Sequence, residues 1–140
     1  MAEENRGTMD VNWVNARWSC APQNALPSLA EAVEADVNSV NELQRRGVKF
    51  NVIKTDLPQA FVVTRQRNLA GFLENVSVVF RLSDNLITVR RVISGFEPPF
   101  LSAVAGLDEE DGECRFTVDG QNLKPWQLRW KALEDLFFGF

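Results

Sequence analysis

VSVVFRLSDNLITVRRVI, residues 76–93, reads as two strands joined by a tight turn, and that reading decides the fold. Val76, Val78, Phe80 and Leu82 fall on one face, with Ser77, Val79 and Arg81 on the other; a period of two is the mark of a strand. Asp84-Asn85 suits a two-residue hairpin turn. Such a turn fixes the register. Leu82 faces Ile87, Phe80 faces Val89, Val78 faces Arg91, and Val79 faces Arg90.

The same alternation extends outward from this hairpin. Val48, Phe50 and Val52 form one strand pattern, Phe61 and Val63 a second, and Cys114, Phe116 and Val118 a third. Ser102 to Leu107 reads as a further strand, with Asp108 to Gly112 as its turn. Short links favour antiparallel neighbours. Upstream, Ser28 and Glu31 are spaced as a capping box, followed by Leu29, Val33, Val37 and Val40 at helical spacing. The spacing predicts a helix over 28–46, with Arg45 and Arg46 in its last turn and Gly47 closing it. Downstream, Pro125 opens a helix to about Phe137. Its Trp126, Trp130, Leu133 and Phe137 stripe is assigned to the core. Trp130 and Phe80 are expected to be fully buried.

Residues 1–9 are polar without apolar periodicity and read as a disordered tail; 10–140 reads as one domain. Val11, Trp13, Val14 and Trp18 suggest a short edge strand. The expected class is α+β: an N-terminal helix packed across an antiparallel meander of five or six strands, with a C-terminal amphipathic helix. In element order alone this resembles cystatin-like and secretion-chaperone-like layouts; no motif ties the chain to either family.

The composition narrows function by exclusion. The chain of 140 residues has no histidine and no tyrosine. Histidine is the commonest general base and metal ligand, so triad chemistry is excluded and no metal or cofactor is expected. The formal charge of −4 argues against nucleic acid and against anionic membranes as partners. Cys20 and Cys114 are too few for a disulfide framework. With no recognisable leader, both are expected to be thiols in the cytoplasm. No catalytic residue is assigned. The expected role is a non-catalytic binding or protein-interaction module, accessory, chaperone-like or regulatory. The alternative is a pocket protein or minor enzyme holding a small anionic, partly apolar ligand.

Candidate site residues follow from misplaced side chains. Arg91 falls on the apolar face of the hairpin, where a charge is costly unless paired. One reading joins Arg65 and Arg91 as an anion grip, with Phe96 and Phe100 as a lid around Pro98-Pro99. The other makes them structural partners of Glu31, Glu34 or Glu134, or strand-end arginines that reach back to water. The acidic run Asp108 to Asp111 lacks the alternation of a calcium loop and reads as a solvated turn. The outer sheet face mixes Val79 and Val92 with Arg90. Joined by Phe138 and Phe140 of the C-terminal stretch, it is the expected homodimer interface. The competing arrangement has the C-terminal helix folded over that face.

Overall fold

A computed structural model describes residues 10–93 and 97–140. Its elements run α1 (Trp13–Ser19), α2 (Pro22–Glu42), β1 (Val48–Ile53), β2 (Ala60–Leu69), β3 (Phe72–Ser83), β4 (Leu86–Val92), β5 (Leu101–Leu107), β6 (Cys114–Val118), β7 (Gln121–Leu123) and α3 (Pro125–Phe138). The strands form one antiparallel sheet in sequence order, β1 to β7. The α+β meander is therefore as expected, with a seventh strand. That strand, β7, is three residues long, too short to show a period in the sequence.

The central hairpin has the register its turn chemistry dictates. Val78 pairs with Arg91, Val79 with Arg90, Phe80 with Val89 and Leu82 with Ile87. Asp84 takes a φ of 56°, the left-handed value a tight turn needs. One face of the sheet carries the core. Phe61 and Phe80 stack at 4.5 Å between centroids, and with Val63, Val76, Val78 and Ile87 they are almost wholly buried.

Both long helices cover that same face. The α2 helix lays Leu26, Leu29, Val33 and Val37 into the core and reaches β1, β3, β4 and β5. The α3 helix adds Leu128, Ala132, Leu133 and Leu136 to the same cluster. The arrangement with α3 over the outer face is thereby overturned. Val62, Val79 and Val92 stay partly open and Ile53 is exposed on the uncovered side.

Three local expectations are corrected. The segment around Trp13 and Trp18 is the helix α1, not an edge strand. Asn12 caps it, its side-chain oxygen accepting the Asn15 N–H at 3.2 Å. The α2 helix begins at Pro22, six residues before the capping box, and runs through Pro27. An interior proline costs about 3 kcal/mol of helix stability. Burial of Ala25 and Leu26 in the added turn offsets that cost. Ser28 is consequently mid-helix and exposed. The helix also stops at Glu42, where Gln44 takes the left-handed turn (φ 54°) expected of Gly47. Arg45 is thus released from the helix.

Cys20 and Cys114 form a disulfide, so the expectation of two thiols is wrong. Their Cα atoms lie 5.4 Å apart across a sequence separation of 94 residues. The bond ties the α1–α2 junction to the start of β6. Two cysteines that far apart carry no sequence sign of proximity.

Candidate functional site

Two tryptophans assigned to the core are not there. Trp126 is 54% exposed and Trp130 is 52% exposed. The reason is competition between two apolar stripes on α3. Leu128, Ala132, Leu133, Leu136 and Phe137 form the buried one. Trp126 and Trp130, one turn apart, lie to the side and stack with centroids 6.2 Å apart and planes at 28°. A helix that is apolar on most of its circumference cannot bury every side.

The displaced indoles wall a groove between α2 and α3 of about 580 Å³. The α2 side contributes Val40 and Leu43, with Leu43 58% exposed. The α3 side contributes Trp126, Trp130, Leu133, Phe137 and Phe138. The helices run in the same direction: Arg129 Nε bonds Asp36 Oδ2 at 2.7 Å near the middle, and Arg45 donates to the Phe137 carbonyl near the far end. A second depression of about 220 Å³ continues past Arg129 to Ser19, Ser28, Cys114 and Pro125. Trp18 and Trp126 adjoin its lining residues in sequence. All four tryptophans of the chain are more than half exposed, Trp13 at 67% and Trp18 at 62%.

The expected anion grip comes apart into two separate sites. Arg65 is 2% exposed, and its Nη1 donates to the Leu136 carbonyl at 3.0 Å. Its Nη2 lies 3.5 Å from Glu74 Oε1, and Arg67 Nε lies 3.0 Å from the same oxygen. Burial, opposed by Glu74, holds the Arg65 guanidinium below its ordinary pKa. Phe140 is stacked by Arg45 and Arg65, each 4.4 Å from the ring centroid, and by Arg67 at 4.9 Å. Arginines thus gather at the C-terminal end of α3, where its carbonyls and dipole favour cations.

Arg91 stands on the other side of β3 and pairs with Asp135 of α3. The carboxylates that meet these arginines are Glu74 and Asp135, not Glu31, Glu34 or Glu134. Arg91 and Phe100 do share a cavity of about 420 Å³ with Ile93, Glu97 and Lys131. Phe96 lies outside the described residues. The cavity's charged walls balance, because Arg91 and Lys131 are matched by Asp135 and Glu97.

The expected interface is also divided. Val79, Arg90 and Val92 lie on the uncovered sheet face, and Val79 pairs with Arg90. Phe138 borders the groove and Phe140 lies among the arginines, both on the helix side. The acidic turn is an arginine cradle. Arg115, 8% exposed, meets Asp111 at 2.6 Å, Glu113 at 3.0 Å and Asp108 at 3.4 Å. Asp111 also accepts the Glu113 N–H at 2.9 Å, and that bond, with Arg115, holds its carboxyl below the usual value. Among the described residues no group of three or more His, Cys, Asp or Glu is placed to hold a metal ion. No helix of the described residues is long and apolar enough to cross a membrane.

No protein-family model, no curated protein and no solved structure matches the chain.

Proposed function

We propose that this chain is a non-catalytic protein-interaction module, and that the groove between α2 and α3 seats an amphipathic helix of a partner protein. The observation that carries the reading is the exposure of Trp126 and Trp130 beside Leu43 and Phe138. Tryptophan is the residue most enriched at binding hot spots, and a contiguous apolar patch on a folded surface is a mark of an interface. Two parallel helices leave a trough that a third helix fills with side chains spaced one turn apart. From Asp36 to Leu43 the groove wall runs about 10 Å at 1.5 Å per residue, and the second depression carries the line on to Ser28 beyond the Asp36–Arg129 pair, a span of roughly 15 residues of helix in all. Its lining charges are Asp36 and Arg129, which satisfy each other, and Glu134. So few lining charges suit a partner with an apolar face rather than a strongly charged polymer.

The Cys20–Cys114 bond favours an oxidising compartment over the cytoplasm first expected, since cytosolic thiols are kept reduced.

The test is a titration with amphipathic helical peptides of about 15 residues, matched to the trough at 1.5 Å per residue, followed by tryptophan fluorescence. Docking buries indole and shifts emission to the blue, and Trp130→Ala weakens binding at least tenfold, the size of a modest hot spot. Wild-type emission unmoved by every such peptide contradicts the reading.

A second reading keeps the Arg91–Phe100 cavity as a small-molecule site. It is supported by apolar walls around two buried, unpartnered polar atoms, Arg91 Nε and Glu97 Oε1. With its charges balanced, it favours a neutral or zwitterionic ligand over an anion. A thermal-shift screen that finds carboxylates stabilising and zwitterions inert contradicts that preference.

A further inference from the structure

The charge inventory of the α2–α3 groove carries one step more, resting on the docking reading above. We infer that the partner helix presents a cationic side chain, an arginine or lysine, which Trp130 and Glu134 receive together.

Trp126, Trp130 and Glu134 follow one another at i, i+4 and i+8 on α3, so they form one line along the groove wall. The two indoles stack, and each stays more than half exposed. A solvent-facing indole attracts a cation through its negative π face. The carboxylate one turn further on supplies the countercharge. The Glu134 carboxylate has no hydrogen-bond or ion-pair partner among the described residues. The cation among the groove's lining residues is Arg129, and Asp36 already holds it at 2.7 Å. The one unbalanced charge of the groove lining is therefore negative, and it lies beside an open aromatic face.

The same molecule contains the completed form of this arrangement. At the end of α3, Arg65 and Arg67 both reach Glu74 and both stack on the Phe140 ring, at 4.4 and 4.9 Å. There the arginines, the ring and the carboxylate all belong to the chain. In the groove the ring and the carboxylate are present, and the cation is left to the partner. A guanidinium fits best, because its plane stacks on indole while its edge donates to a carboxylate.

The experiment uses two helical peptides of about 15 residues, each long enough at 1.5 Å per residue to fill the trough. They share one apolar face and differ at a single flanking position, arginine in one and glutamine in the other. The folded, disulfide-bonded wild type is expected to bind the arginine peptide about tenfold more tightly at low salt, with the preference shrinking as salt screens the pair. Glu134→Gln is expected to reduce the preference to about twofold or less, leaving what cation–π attraction alone supplies. Trp130→Ala is expected to weaken both peptides. Far-UV circular dichroism and the urea midpoint confirm that each variant is folded. Equal wild-type affinity for the two peptides overturns this inference and leaves the docking reading standing. So does an arginine preference that survives in Glu134→Gln. Failure of both peptides to bind overturns the two together.

Discussion

The two sides of α3 teach different lessons. One side places Leu128, Ala132, Leu133 and Leu136 against the sheet with almost no exposed surface. The other presents Trp126, Trp130 and Phe138, each more than half exposed. Both sides are apolar, so hydrophobicity alone does not separate folding from docking. Geometry separates them: the sheet and α2 fill the first side, while the groove leaves the second open. Removal of a side chain from the first should cost stability. Removal from the second should cost binding.

The largest effect is expected on the folding side. Leu136→Ala or Phe80→Ala should lower unfolding free energy by about 3–5 kcal/mol, the cost of a cavity among close-packed neighbours. Urea denaturation reads it directly. A loss under about 1 kcal/mol would mean that the core collapses around the gap and that burial is a poor guide here.

The disulfide comes next. It closes a long loop, and its removal by Cys114→Ser should cost about 2–4 kcal/mol through the freedom restored to the unfolded chain. Addition of reductant to the wild type should lower the melting temperature in the same way. A melting temperature indifferent to reductant would show that the bond does not form.

Arg65 tests how α3 is anchored. Its replacement by methionine keeps the apolar stem but leaves the buried Leu136 carbonyl without its donor. A loss of about 1–3 kcal/mol is expected. Arg91→Gln breaks a partly exposed pair and should cost less than about 1 kcal/mol. If the two variants prove equal, burial is not what distinguishes these arginines.

The pH dependence is smaller again. With no histidine, stability should be nearly flat between pH 6 and 8. Asp111 has a folded-state pKa below the ordinary 3.8. Its contribution is therefore fully present above that value and is lost as pH falls below it toward the lower folded value. Asp111→Asn should make the acid limb of a melting-temperature profile shallower. An unchanged limb would show that the Arg115 cradle contributes nothing to acid stability.

The sequence revealed the sheet better than the surface. Alternation plus Asp84-Asn85 was enough for the central hairpin, because a one-residue slip would turn Phe80 and Val78 outward. The start of α2 was hidden. Ser28 and Glu31 have the spacing of a cap, but the local signal loses to burial of Ala25 and Leu26. Arg91 is legible as a misplaced charge; its partner Asp135, like the Leu136 carbonyl that Arg65 meets, is brought near only by the docking of α3. The groove is hidden in the sequence because Trp126 and Trp130 share helical spacing with Leu133 and Phe137. The available signal was the excess: α3 carries more apolar side chains than one buried face accommodates. No pattern in the chain pointed to the Cys20–Cys114 pairing.

Equilibrium urea unfolding of Trp130→Ala beside the wild type tests the division of α3 most directly. The open groove wall predicts a loss of no more than about 1 kcal/mol, as for substitution of a half-exposed residue, with an unchanged denaturant slope. A loss of about 3–5 kcal/mol, the cost of emptying a core site, would place Trp130 inside the fold and contradict the account.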